Sequence, residues 1–355
     1  MASYRRRLER DLDDWIGRGL VSADSRAAIL DSVGEARRLD ASTALAIIGG
    51  LLAGVAMIAF VAANWSDIPR IARFALVLTA FLASAGGAAW ASGAGRTVTG
   101  HVLLSVAALV FAAAIGLTGQ IFDIAGDPQA ALRAAGLAAG LLALAGRSPW
   151  AAAVGLAMIA FGDFTGRSSF GGVPEAWPGW LVVAAPMGVV TALFWRSQAL
   201  AHVAGIAAIL AVLTFDDSLR SRPETVFLSA AAVLAAGAAG ARFLRDRFEG
   251  PAVVLYGWFV WGALGCFGLS GFDDNLRGVG HSIAWLALAA GAVALGRHDR
   301  HAPVTAAGVI GLFAAGATLL FNLGVGLMTS AAVFGGAALV ALAVAWAMRG
   351  RKNAA

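Results

Sequence analysis

Cysteine, lysine and charge are all scarce in this chain. Cys266 is the only cysteine, which excludes an intrachain disulfide and a cysteine zinc site. Charged residues make up 13% of the 355 positions, against about 25% in ordinary soluble domains. With 59% apolar residues and a mean hydropathy of +0.78, the composition excludes a soluble globular class. Lys352 is the lone lysine beside 25 arginines, a bias that fits a GC-rich genome and carries little functional weight. The pI near 10.5 does not point to nucleic acid, because the basic residues are scattered over short loops. No Asp, Glu, Lys or Arg falls near the middle of an apolar run, which counts against ion-coupled transport, since such carriers usually bury a charge.

What is present is long apolar runs. Thr43–Phe74 holds one of about 21 residues, then the polar turn Asn64-Trp65-Ser66-Asp67-Ile68-Pro69-Arg70, then a second run. A run of that length crosses the hydrocarbon core once as a helix, and the turn sends the next helix back. The same reading continues over twelve spans, at 43–63, 70–91, 101–119, 128–146, 149–163, 177–195, 198–214, 223–241, 251–270, 279–296, 302–321 and 327–348. The expected fold is all-α: a polytopic membrane domain over 42–348 of about twelve transmembrane helices in six hairpins. A cytoplasmic helix pair over 1–41 precedes it, and a basic tail over 349–355 follows. Spans four, five and seven are short, and 128–163 reads either as two spans or as one segment broken at Arg147-Ser148-Pro149.

In the N-terminal segment Leu8, Leu12, Trp15 and Ile16 fall at helical spacing, and Ser22–Asp24 offers a cap for a second helix. Eight basic residues are matched there by eight acidic ones, so a polybasic lipid anchor is not expected. A unit this small calls for a docking partner: the membrane domain, a second copy or a cytoplasmic protein. No cleavable signal peptide is apparent, because about 40 polar residues precede the first run.

Charge parity sets the orientation. Twelve spans with both termini cytoplasmic place 19 basic residues inside and seven outside, as the positive-inside rule requires. Fusing 128–163 into one span would put Arg242, Arg245 and Arg247 outside. The outer turns are acidic and alike: Asn64-Trp65, Phe122-Asp123, Asp163, Phe215-Asp216-Asp217, Phe272-Asp273-Asp274 and Phe321-Asn322. The segments 215–220 and 272–277 agree at five of six positions, 57 residues apart, and read as an internal hairpin repeat. Turn formation and helix capping explain such residues first. A ligand role is the competing reading for Asn64, Trp65, Asp67, Gln120 and Asp123, and a metal role for Asp216, Asp217, Asp273 and Asp274. The histidines read as interfacial polar residues, because none shows the i, i+4 spacing of a zinc pair beside a catalytic Glu. Gly50-x-x-x-Gly54 and Gly136-x-x-x-Gly140 suit close helix packing, and Pro186 interrupts span six.

The pair of N-terminal helices with Gly19-Leu20-Val21-Ser22, the Ala63-Asn64-Trp65 turn with Pro69, and Thr118-Gly119-Gln120-Ile121-Phe122-Asp123 carry a resemblance. Over about residues 1–150 the chain resembles the bacterial multi-pass membrane proteins grouped as domain of unknown function 2157. The resemblance implies a bacterial inner-membrane protein and carries no established activity. With no catalytic constellation and no cofactor called for, the expected function is that of a non-enzymatic scaffold, sensor or facilitator. A transporter or lipid flippase with an outward-facing cavity is the first alternative. A transferase acting on a lipid-linked substrate through the outer aspartates is the second.

Overall fold

Proline, glycine and arginine punctuate the helices. The computed structural model describes residues 2–32, 68–122, 126–167, 179–218, 223–271 and 278–326, with six further positions between 328 and 339. The chain divides into Met1–Pro69 and Arg70–Ala355. The expected spans 43–63 and 327–348 lie wholly or largely outside the described residues.

The first unit contains α1 (Ala2–Gly17) and α2 (Ser25–Ser32). Gly19 stops α1 in a left-handed turn, with Leu20 N–H donating back to Trp15 O at 2.9 Å. Leu12 and Leu30 are buried, and Arg26 pairs with Asp13 at 3.0 Å.

The second unit contains ten described helices. They are α3 (Arg70–Gly93), α4 (Thr97–Phe122), α5 (Pro128–Gly146), α6 (Pro149–Arg167), α7 (Leu181–Phe194), α8 (Gln198–Ser218), α9 (Pro223–Leu244), α10 (Pro251–Ser270), α11 (Val279–His298) and α12 (Ala302–Asn322). Each matches one of the expected interior spans. Residues 128–163 belong to two helices, α5 and α6. Seven of the ten are long and apolar enough to cross a membrane: α3, α4, α5, α10, α11, α12 and Val226–Leu244 of α9. The apolar stretches of α6, α7 and α8 are shorter. Within α7, Pro186 donates no N–H, so the Val182 carbonyl loses its helical partner.

The pairing of hairpins differs from the expected one. Expected hairpins close at the acidic turns. In the structure the most extensive pairs are α3 with α4, α5 with α6, α7 with α8, α9 with α10 and α11 with α12, each joined at a turn that carries arginine. At three of the five turns the local reason is a double cap. Arg147, Arg196 and Arg300 take left-handed backbone (φ 46°, 51° and 52°) and end α5, α7 and α11. The next residue, Ser148, Ser197 or His301, sends its N–H back to the carbonyl five residues earlier, at 2.7–3.0 Å. Its side chain then accepts the N–H three residues ahead, opening the following helix at 3.2–3.3 Å. One residue thus serves both helix ends.

Packing is by small residues. A Cβ on Gly136 would stand 2.7 Å from the Gly155 carbonyl oxygen, and one on Gly155 would stand 2.8 Å from that of Gly136, so α5 and α6 touch backbone to backbone. Of the expected packing pairs, Gly136 and Gly140 lie on this face, while Gly50 and Gly54 are outside the described residues. The interior is mainly alanine with some leucine: Ala107, Ala139, Ala204, Ala289 and Ala315 are fully buried. Large side chains face outward instead, with Ile71 79%, Phe194 73% and Phe313 60% exposed. Soluble proteins bury such residues. The inversion fits a solvent of lipid tails.

Candidate functional site

The turn between α11 and α12 places Asp299 at the centre of an ionic cluster. Asp299 ends α11, its N–H donating to Leu295 O at 2.8 Å, and Arg300 then turns the chain. The carboxylate is 1% exposed and receives four hydrogen bonds. Arg242 of α9 donates twice, Nε to Oδ2 at 2.6 Å and Nη2 to Oδ1 at 2.9 Å. Arg245 adds Nη1 to Oδ1 at 3.0 Å, and the Tyr256 hydroxyl of α10 donates to Oδ2 at 3.2 Å. The Arg242 hydrogen bonds chiefly, aided by those of Arg245 and Tyr256, hold the carboxyl well below the usual carboxylate range despite its desolvation. His301 braces the cluster. Its Nδ1 accepts from Val304 N–H at 3.2 Å, which leaves Nε2–H to donate to the Val253 carbonyl at 2.9 Å, and its ring meets Tyr256 edge-on at 5.2 Å.

Arg242, Arg245 and Tyr256 of the cluster stand at one end of a cleft of about 980 Å³ between α9, α10 and α11. Ala231, Ala235, Ala238 and Arg242 fall on one face of α9, so the helix offers a shallow apolar stripe that ends in a guanidinium. Val260 and Phe267 form the α10 wall, and Leu288, Gly291 and Leu295 the α11 wall. At the far end Phe267 stacks on His281 at 4.7 Å. The volume and the few polar groups at one end are those of a small-molecule site.

At the mouth two guanidinium groups share one buried carboxylate. The nearby Asp246, 3.5 Å from Arg245 Nε, is 91% exposed to solvent, which weakens its pull.

Few of the residues singled out from the sequence are described. Asn64, Trp65, Asp67, Asp123, Asp273 and Asp274 lie outside the described residues. Asp216 and Asp217 sit in the last turn of α8, with their side chains outside the description. Gln120 is exposed in the last turn of α4. Gln120, whose side chain is described, is not among the residues that line the cleft.

Polar groups at the acidic end hold helix starts. Asp127 caps α5, accepting from Gln129 N at 2.9 Å and Ala130 N at 3.2 Å. Asn322 donates to the Gly278 carbonyl at 3.2 Å and to Ser282 Oγ at 2.9 Å, tying α12 to the start of α11. Asp163 corrects the expectation of an outer-turn residue. The helix continues to Arg167, and the buried carboxylate accepts from Arg133 Nε and from Leu181 N–H, both at 2.7 Å. Gly179 (φ 92°) passes so close that a Cβ there would stand 2.6 Å from Asp163 Oδ2. Two of the histidines, both near helix starts, have hydrogen-bond partners. His202 Nδ1 accepts from Trp258 Nε1–H at 2.9 Å, and His301 ties α12 to α10.

Sequence reasoning missed Asp299, Arg242 and Tyr256. A signal existed: Arg242 and Asp299 lie 57 residues apart, the same offset that separates the two Phe-Asp-Asp turns.

Residues 13–152 match a family of predicted membrane proteins, domain of unknown function 2157. The cleft and its cluster lie beyond that segment. No curated protein and no solved structure matches the chain.

Proposed function

We propose that this is a non-enzymatic integral membrane protein, a sensor or facilitator, that takes the apolar chain of a lipid-like molecule into the cleft between α9, α10 and α11. The single observation that carries this reading is the cleft itself, apolar along its length and cationic at one end. The setting is a bacterial cytoplasmic membrane. The positive-inside rule supports an orientation with the arginine-rich turns and both termini in the cytoplasm. The N-terminal helix pair then serves a cytoplasmic partner or a second copy of the chain.

Filling the cleft tests the reading. A Cβ at Gly291 meets nothing within 4 Å, so Gly291→Trp should fold and occupy the space. Lipid retained through purification and quantified by native mass spectrometry should fall at least about fivefold, a loss of about 1 kcal/mol in binding. Unchanged retention by a folded variant would remove the cleft from the function.

Lipid movement between leaflets is the second reading, and one feature favours it. The α9 lining extends from Leu228 to Phe243, about 22 Å along the helix axis against a hydrocarbon core of about 30 Å. Faster dye-lipid exchange in proteoliposomes, slowed by Gly291→Trp, would select it over simple binding.

A further inference from the structure

The two arginines at the cleft mouth are not equivalent. Arg242 spends two donors on both oxygens of Asp299, forming a closed bidentate pair. Arg245 reaches the same carboxylate through Nη1 alone, and its other ionic neighbour is the solvated Asp246. A guanidinium carries five N–H donors, so most of those on Arg245 are left for a ligand. Its side chain is 35% exposed at the end of the apolar trough. The arrangement presents a partly exposed guanidinium, held by one buried carboxylate and one solvated one, where the headgroup of a molecule lying in the cleft would emerge. Basic pockets between transmembrane helices on the cytoplasmic side recognise anionic lipid headgroups by this chemistry.

Resting on the proposal that the cleft holds an apolar chain, we infer that its occupant is a bilayer phospholipid of net negative charge, whose phosphate is held by Arg245. Arg242 is the positioning residue: clamped by Asp299, it holds the end of α9 against the α11–α12 turn and so fixes where Arg245 stands. The apolar walls do not discriminate between headgroups. Arg245 does.

The experiment titrates the purified full-length protein in detergent with dioleoyl phosphatidylglycerol and with dioleoyl phosphatidylcholine, which share acyl chains and differ in net charge. Native mass spectrometry reads the occupancy, and inorganic phosphate serves as competitor. The wild type should bind the anionic lipid about fivefold more tightly, the worth of about one interfacial arginine. Arg245→Gln, which leaves the Arg242–Asp299 pair in place, should bring the two lipids to parity. Asp246→Asn, at an exposed position, should widen the preference by about twofold by removing the competing carboxylate. Equal affinities in the wild type, a preference that survives Arg245→Gln, no widening in Asp246→Asn, or displacement by inorganic phosphate would each overturn the inference. Those outcomes would leave the cleft reading standing if Gly291→Trp still abolishes binding of both lipids. Binding of both that is indifferent to Gly291→Trp would overturn the cleft reading as well.

Discussion

Two buried carboxylates, Asp163 and Asp299, sit at opposite ends of the helical unit and do different work. Asp163 divides itself between one guanidinium and one backbone N–H, fixing where α7 begins after a long connection. Asp299 faces two guanidinium groups and a phenol, at the edge of an open cleft. At the acidic end the side chains of Asp127, Asp163 and Asn322 serve the starts of helices. At the basic end two arginines share one buried carboxylate, and Arg245 has only the solvated Asp246 besides. A buried ion pair is therefore weak evidence of function by itself, and the balance of charge around it carries the information.

The largest effect should come from Asp299→Asn. Removing the charge leaves Arg242 and Arg245 facing each other, a loss of about 3 kcal/mol, near the low end for buried pairs because both guanidinium groups keep some solvent. Thermal or denaturant unfolding in detergent reads it. The pH dependence has a definite sign. The folded carboxyl titrates below its ordinary value of 3.8, so its stabilisation is complete above that pH and is lost as the pH falls through the folded value. The stability gap between wild type and Asp299→Asn should stay constant from pH 7 to about pH 5 and shrink below pH 4. A gap that grows on acidification would contradict the assignment.

Asp163→Ala should cost about 2 kcal/mol, because it strands the Leu181 N–H and takes the carboxylate from Arg133. Asp163→Asn, which keeps an acceptor, should recover about half of that. Neither should alter lipid binding at the cleft, and that indifference separates the two ends.

The smallest effect is a gain. Arg147 ends α5 in a left-handed conformation that glycine adopts without strain, so Arg147→Gly should stabilise the protein by about 0.5–1 kcal/mol in an unfolding titration.

Most of the fold was legible in the chain, and the site was not. Pro128, Pro149 and Pro251 mark helix starts by a rule that depends on local geometry, and α5 and α10 begin and end where the apolar runs do. Arg147-Ser148-Pro149 proved a turn, for the same local reasons. The hairpin pairing was misread because the acidic turns repeat visibly. The caps that tighten three of the basic turns depend on a backbone bond from the residue after a left-handed arginine to the carbonyl five residues earlier. The Asp299 cluster joins residues 43–57 positions apart through side-chain geometry, which apolar patterning does not encode. Asp163 looked like its neighbours in sequence, yet the extra turn of α6 carries it inside.

The central claim is that a lipid chain occupies the cleft rather than coating the whole apolar surface. A phospholipid with a photoreactive group near the end of its acyl chain, reconstituted with the protein, illuminated and mapped by peptide mass spectrometry, addresses it directly. The account predicts labelling concentrated on cleft residues such as Ala235, Val260 and Leu288, and lost in Gly291→Trp. Labelling spread evenly over outward-facing residues such as Ile71, Phe194 and Phe313, and unaffected by that substitution, would contradict it.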